Sequence, residues 1–440
     1  MPPLETGQTL VVEVGDVGHA GDGVARHCGY VLFIAGAATG DLVRVEVTAV
    51  GPAHGRARIV EILRPSPERS EPPCEYYGSC GGCQLQHICY RAELEYKRQW
   101  VRQAASRIGG VDHAPVEAVL SDGSPYGYRA RARLAVAEGA GGEVTVGFRK
   151  CRSAEVVDVA RCPIQVPRNG LILSGMRELI ARGAMMLSDG DQLEIRSAGK
   201  DSLLVYIPEG GGRMDEESAR LLLDRVPELT GIAVQTKGDA VTLAGRGEVA
   251  YCLDGLEMVA SAPVFTQVNH RGARILYRRV VELAGLSEDD AVVELFSGVG
   301  GLTLHLAARA GAVFAVELHP GAIRDARRNA ERNARRNVIH WQGDAADGLQ
   351  QYLASCGRPE VLVMDPPRGG CPRPLLHLIS GLQLRRIVYV SCDFGTWARD
   401  VGRLVAGGWR LRRAVPVDMF PETANVEIVS VFDAKGREED

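Results

Sequence analysis

The chain has 440 residues, with 51 lysines and arginines against 55 aspartates and glutamates and a formal net charge of −4. That length is enough for two or three domains, and the slightly acidic balance argues weakly against a large surface that coats nucleic acid while allowing a local basic groove. Composition is 45% hydrophobic and 24% charged with no apolar run long enough to span a bilayer. The Met1-Pro-Pro-Leu-Glu-Thr6 start lacks the basic stretch and apolar core of a signal peptide, so a cytoplasmic protein with no membrane partner is expected. Eleven cysteines, irregularly spread, do not resemble a disulfide framework. In a reducing compartment, clustered cysteines bind metal or act in catalysis.

Residues 1–64 read as short strands divided by turns. Leu10–Val14, Tyr30–Ile34, Asp41–Val47 and Ala57–Ile62 are β-rich, and Gly21-Asp-Gly23 and Ala38-Thr-Gly-Asp41 carry turn chemistry. This spacing suggests a small OB-like barrel, a shape often used to hold single-stranded nucleic acid. Arg64-Pro-Ser-Pro-Glu-Arg69 is a stiff linker.

Directly after it come Cys74, Cys80 and Cys83, the last two separated only by Gly-Gly. Three thiolates this close can wrap a metal group with one ligand missing, and Cys162 in Arg-Cys-Pro is the obvious fourth. Four cysteines suit tetrahedral zinc or a [4Fe–4S] cluster equally well, and His87 or Cys89 could substitute at a zinc site.

Residues 91–111 form an amphipathic helix ending at Gly109-Gly110. The stretch Tyr126-Gly-Tyr128-Arg129-Ala-Arg131-Ala-Arg133 then alternates arginine with alanine at strand period. That places three guanidiniums on one face, as a phosphate- or base-contacting edge requires. Residues 165–255 mix helix and strand without specific chemistry.

From about residue 285, strands and helices alternate as in a parallel doubly wound sheet. Ala291–Phe296 is a strand, and Ser297-Gly298-Val-Gly-Gly301 is a glycine turn opening a helix over Leu302–Ala310. A dinucleotide fingerprint would place a third glycine at Thr303, so the turn suits a nucleoside ligand without pyrophosphate. The next strand, Ala312–Val316, ends in Glu317, placed to accept ribose hydroxyls. An arginine-rich helix follows over Ala322–Asn337. Val338–Asp344 is a third strand whose terminal Asp344 suits an adenine amino group, and Val361–Met364 is a fourth, ending in Asp365-Pro-Pro-Arg368. A glycine turn and three strand-end acids in this order resemble the S-adenosylmethionine pocket of Rossmann-like methyltransferases.

The fifth strand, from Arg386, ends in Ser391-Cys392. A cysteine at the carboxyl end of a strand, before a helix N-terminus, is a plausible thiolate nucleophile. Amino-group methyltransferases place an aromatic after Asp-Pro-Pro, where Arg368 stands here. Cytosine-5 enzymes use a cysteine within or just after that motif, and Cys371 lies off that position. Cys392 with a pyrimidine makes chemical sense, because C5 is too weak a nucleophile until a thiolate adds at C6. A base must then take the C5 proton. Glu427, at the start of the apolar strand Ile428–Phe432, is rigidly placed for this, with Glu422 nearby.

These residues resemble the RNA uracil-5-methyltransferases, most closely the branch that acts on 23S ribosomal RNA and carries an iron–sulfur cluster. Gly23-Val-Ala-Arg-His27 and Leu32-Phe-Ile-Ala-Gly36 look like that branch's TRAM domain. The resemblance implies that Cys74, Cys80, Cys83 and Cys162 hold a [4Fe–4S] cluster. It implies that Gln267 in Phe265-Thr-Gln-Val-Asn269, with Phe296, Gly298, Gly301, Glu317, Asp344 and Asp365, contacts S-adenosylmethionine. It makes Cys392 the nucleophile and Glu427 the base. The chain departs from the family in having Glu422 and Asn425 where histidines are usual, and Asp393-Phe394 where Asn-Pro is common.

The expected architecture is a multidomain α/β chain. It comprises a TRAM or OB-like barrel over 1–64, a central α+β domain with the cluster over 65–260 and a methyltransferase domain over 261–440. The expected function is methylation of a uridine in 23S ribosomal RNA by a monomer, with Arg129, Arg131 and Arg133 contacting RNA. The alternatives are a transfer-RNA enzyme or a non-catalytic RNA-binding factor. A carboxylate at Asp393, beside the thiol, is expected to raise the Cys392 pKa.

Overall fold

In the computed structural model, which describes residues 4–139, 141–236 and 239–434, the first strands close on themselves. They are β1 (Thr9–Val17), β2 (Gly23–His27), β3 (Tyr30–Ala35), β4 (Leu42–Val50) and β5 (His54–Arg64), in the barrel order β1-β2-β3-β5-β4. Val14, Leu32, Ile34, Val43, Val45 and Val47 fill the interior, the inward half of a period-two pattern. The strand hidden from sequence reading is β2, because its first residue completes a Gly-Asp-Gly turn. Gly23 has a packing reason: a Cβ there would stand 2.7 Å from the Ala37 Cβ.

Helix α1 (Tyr90–Arg107) stops short of the expected residue 111, and Gly110 just beyond is left-handed at φ 64°. It joins the barrel through Trp100, whose indole N–H donates to the Val17 carbonyl at 2.8 Å. A mixed sheet follows, built from β6 (Arg131–Glu138), β7 (Val144–Arg149), β8 (Val156–Val157), β9 (Gln192–Ala198), β10 (Asp201–Ile207), β11 (Gly231–Thr236) and β12 (Asp239–Gly245). Its order is β12-β11-β10-β9-β6-β7-β8. Helices α2 (Pro167–Ala181) and α3 (Glu216–Arg225) pack on it through Ile172, Met176 and Leu222. The arginine-bearing strand starts later than expected. Gly127 is left-handed at φ 61° and Arg129 makes only an isolated bridge to Gln165, so regular pairing begins at Arg131.

A hairpin of β13 (Glu248–Leu253) and β14 (Leu256–Ser261) leads into α4 (His270–Ala284) and the last sheet. There β15 (Ala291–Leu295), α5 (Gly301–Ala307), β16 (Ala312–Glu317), α6 (Pro320–Arg332), β17 (Val338–Gln342), α7 (Ala345–Cys356), β18 (Val361–Met364), α8 (Arg373–Ser380), β19 (Arg386–Ser391) and α9 (Phe394–Ala406) alternate. They end in the hairpin β20 (Trp409–Val417) and β21 (Glu427–Ala434), with sheet order β17-β16-β15-β18-β19-β21-β20. Strand β21 runs against the direction of the other strands described in this sheet. Adjacent residues feed cores on opposite faces: Val292, Val361 and Val388 one, Val293, Leu362 and Ile387 the other. Burial on both faces produces the continuous apolar runs seen in the sequence. Helix α6 ends at Arg332 rather than Asn337, because Ala334 turns left-handed at φ 53°. Among the described residues no helix is long and apolar enough to cross a membrane.

Candidate active site

The strand order reverses between β15 and β18, and their carboxyl ends border the crevice where an open α/β sheet takes its ligand. At the end of β15, Phe296 is left-handed at φ 65°, a strained state for an aromatic residue. Its turn is closed by the Gly300 N–H donating to the Ser297 carbonyl at 3.0 Å, and Gly298 and Gly300 hold φ 55° and 83°. A Cβ on Gly301 would come within 3.1 Å of the Tyr277 ring, so the helix start is fitted to glycine. At the end of β16 the Glu317 carboxylate accepts the Gly298 N–H at 2.9 Å on one oxygen and the His319 N–H at 2.7 Å on the other. Each oxygen of an ionised carboxylate has a further lone pair for a hydroxyl. Asp344, exposed after β17, caps α7 by accepting the Ala346 N–H at 2.8 Å. Gln267 lies in the segment entering α4, beside the buried Tyr277 hydroxyl.

The ends of β18, β19 and β21 converge on one charged group. Burial is the main reason the Cys392 thiol is pushed up to about 11, with Glu427 and then Asp365 adding to it and Arg368 opposing. Burial raises the Asp365 carboxyl to about 7. Burial also holds Glu427 well above the carboxylate range, with Asp365 again adding and Arg368 opposing. Four residues from three strand ends therefore feel one another's charge. The thiol is raised as expected, although its principal causes are burial, Glu427 and Asp365. The Asp393 carboxylate is turned to cap α9, accepting the Thr396 N–H at 2.8 Å. Arg368 donates to the Asn425 side-chain oxygen at 3.0 Å, so one of the two departures from the resembled family's pattern near Glu427 is its anchor. The other, Glu422, is buried and left-handed at φ 67°, with its carboxyl raised by burial to about 7. Phe394 meets the barrel: its ring and that of His19 lie edge to face with centroids 5.7 Å apart. Cys371 is buried with its sulfur 4.0 Å from the Met364 sulfur, a core residue rather than a nucleophile.

Of the three arginines, Arg131 pairs with Glu194 at 2.6 Å and lies over the exposed Phe265 ring at 5.9 Å. Arg133 is exposed and bonded to Gln192 at 2.5 Å, and Arg129 is half-buried. The backbone of this stretch runs beside the Gln267 segment, with the Ala130 N–H donating to the Val268 carbonyl at 2.7 Å.

Cys74, Cys80, Cys83 and Cys162 are all free and half-buried. Burial is the largest cause of the raised thiols of Cys80, Cys83 and Cys162. Charge contributions from Cys74 to Cys80 and Cys162, and between Cys83 and its neighbours, put all four within electrostatic reach. Among the described residues, no group of three His, Cys, Asp or Glu side chains converges tightly enough for a single ion. His87 is engaged at both ring nitrogens, by the Tyr77 hydroxyl at 2.5 Å and the Ala37 carbonyl at 3.3 Å. It is not available as a substitute ligand.

Sequence reading misses a buried ionic group formed by Glu93, Lys97 and Asp418, all at most 3% exposed. The signal was present, because Glu93 and Lys97 fall on the same helical face as Trp100, Val101 and Ala104.

The chain matches the family model of the TRAM domain over residues 3–60 and that of tRNA (uracil-5-)-methyltransferase over residues 257–435. An uncharacterized RNA methyltransferase of Halalkalibacterium halodurans is 33% identical over 454 residues, covering 98% of each chain. One from Gloeobacter violaceus is 34% identical over 450 residues, covering 98% of this chain and 97% of its own. Among solved structures, the Pyrococcus abyssi tRNA (uracil-54, C5)-methyltransferase in complex with S-adenosyl-L-homocysteine superposes with a TM-score of 0.74. It is 24% identical, covering 96% of this chain and 100% of its own, a likeness of fold. With relatives this similar along nearly the whole length and both family models matched, the chain belongs to the RNA uracil-5-methyltransferases, enzymes that methylate RNA with S-adenosylmethionine.

Proposed function

We propose that this protein methylates C5 of one uridine in RNA, 23S ribosomal RNA being the first candidate, with Cys392 as nucleophile and Glu427 as base. The observation that carries the reading is the convergence of Cys392, Glu427, Asp365 and Arg368 at the ends of β18, β19 and β21, with the Asp365 N–H donating to the Leu295 carbonyl of β15 at 3.3 Å. The Cys392 thiolate adds to C6 of the uracil, and the ring electrons gather as an enolate across C5. C5 then takes the methyl group that S-adenosylmethionine, when bound, would supply as an electrophile, the S–CH3 bond breaking with its electron pair retained by the sulfur of the departing S-adenosylhomocysteine. Glu427 removes the C5 proton, the C5–C6 double bond re-forms and the thiolate leaves, so protons and electrons balance. Arg368 is the cation that favours the thiolate before attack.

The crevice fits the donor by its own chemistry. Gly298 leaves open space where a Cβ would stand, and Glu317 retains acceptor capacity for hydroxyls. Gln267, Phe296, Gly301, Asp344 and Asp365 complete that set.

The four cysteines fit a [4Fe–4S] group by donor chemistry. Four half-buried free thiols within electrostatic reach of one another match the donor type and number that such a cluster takes. Cys74, Cys80, Cys83 and Cys162 would hold it, and its positive iron would stabilise thiolates that burial otherwise disfavours. The units 1–64, 65–260 and 261–440 would act together as a monomer, with Arg129, Arg131 and Arg133 holding RNA around a flipped-out uridine.

Incubation of the protein with labelled S-adenosylmethionine and total RNA from a strain lacking it should place 5-methyluridine in ribosomal RNA. Label confined to transfer RNA would favour the substrate named for the matched family. The Cys392→Ala variant should bind S-adenosylmethionine and methylate nothing. Full turnover by that variant would remove the mechanism.

A further inference from the structure

The connection between β20 and β21 is buried, which is unusual for a loop because its backbone polar groups have no sheet to satisfy them. Partners are supplied from outside it, residue by residue. At its start, Lys97 on α1 donates to Asp418 Oδ1 at 2.7 Å, and the Tyr90 hydroxyl donates to Asp418 Oδ2 at 2.7 Å. The Asn269 side chain donates to the Met419 carbonyl at 3.2 Å, and Lys97 again to the Phe420 carbonyl at 3.1 Å. The Tyr128 hydroxyl donates to the Pro421 carbonyl at 2.9 Å. The Glu422 N–H donates to Glu93 Oε1 at 2.9 Å, and its carbonyl accepts from the Gln84 and Leu85 N–H groups at 3.0 and 3.1 Å. Lys97 closes the group by donating to Glu93 Oε1 at 2.6 Å.

Burying one ammonium between two carboxylates is costly, and an apolar trio would fill the space as well. An apolar trio could not satisfy a loop backbone. At its far end the same connection presents Asn425, which holds Arg368 at 3.0 Å. Arg368 in turn acts on both Cys392 and Glu427.

We infer that Lys97 is a positioning residue for methylation. It fixes the stretch from Asp418 to Glu422, and through it Asn425, so that Arg368 stays beside Cys392 and Glu427. The inference rests on the reading of Cys392 and Glu427 given above. Lys97 touches neither reacting atom and acts only through the connection.

The test is single-turnover methylation across a pH series, using total RNA from a strain lacking the protein and labelled S-adenosylmethionine, with donor affinity measured separately. Lys97→Met is expected to slow the step at least tenfold, leave the donor Kd unchanged within twofold and move the rate–pH curve to the alkaline side. A folded Lys97→Met protein with wild-type rate and curve overturns the inference. Because this variant leaves two buried carboxylates facing each other and can unfold the chain, Tyr90→Phe/Tyr128→Phe is measured beside it. That pair removes two hydroxyl anchors without changing charge and should slow the step at least threefold with the same alkaline move. A wild-type rate there overturns the inference equally. Cys392→Ala serves as the control: if it still turns over, the underlying reading has failed. If it is inactive while the Lys97 and tyrosine variants match wild type, only the positioning role has failed.

Discussion

In the proposed reaction the Cys392 thiol must lose its proton before attack, and burial, Glu427 and Asp365 push it up to about 11 while Arg368 and a backbone hydrogen bond oppose them. The rate should therefore climb with pH between 7 and 9, by up to about tenfold per unit while thiolate supply limits it. Arg368→Gln removes the opposing cation, so the rate at fixed pH should drop by tenfold or more and the curve should shift alkaline. A pH-independent rate in both proteins would show that thiolate formation does not limit it. Glu294 makes a second, independent prediction. It is buried in β15 with one oxygen unpartnered, and burial raises its carboxyl to about 8. A carboxyl raised on folding binds its proton more tightly in the native state. Its contribution is fully present below the unfolded value near 4.5 and is lost as pH rises through about 8. Glu294→Gln, neutral throughout, should lose less melting temperature than wild type between pH 5 and 9. An equal loss in the two proteins would locate the pH dependence elsewhere.

The elements differ in how readily they could be read from sequence, for physical reasons. Val361–Met364 is identified residue for residue, because a parallel strand buried on both faces leaves an uninterrupted apolar run bounded by an acid. The acids and the cysteine at strand ends follow from the same regularity. The arginines and asparagines after Arg332 are tolerable helix formers, so the sequence extends α6 past the left-handed Ala334 that stops it. The ionic group of Lys97 is hidden in the sequence because a glutamate–lysine pair four residues apart ordinarily lies on a solvated face. Its third member, Asp418, is 321 positions away and only the fold supplies it. Asp393 shows how a family departure can be locally neutral. It caps α9 through the Thr396 N–H, which an asparagine would do as well. Asp393→Asn should leave melting unchanged, while Asp393→Ala should cost about 1 kcal/mol, seen as a lower melting temperature. Equal melting of all three proteins would mean that the cap contributes nothing.

Across the whole molecule, the barrel, the mixed sheet and the methyltransferase sheet meet around one crevice. The barrel reaches it through His19 on Phe394 and is fastened to α1 by Trp100 and Val17. The central region reaches it through the clamp on the β20–β21 connection. A net acidic chain that nonetheless grips RNA must concentrate its cations, so affinity should fall steeply with salt. Arg133→Ala should weaken binding and lower the slope of log affinity against log salt by about 1. An unchanged slope would remove Arg133 from the RNA-facing surface. Trapping the intermediate reveals whether Cys392 bonds to the uracil and Glu427 releases it. Glu427→Gln, incubated with RNA and labelled S-adenosylmethionine, should accumulate a denaturation-resistant protein–RNA adduct carrying one methyl group, which digestion and mass spectrometry place on Cys392. Free 5-methyluridine released at the wild-type rate, with no adduct on Cys392, would contradict both roles.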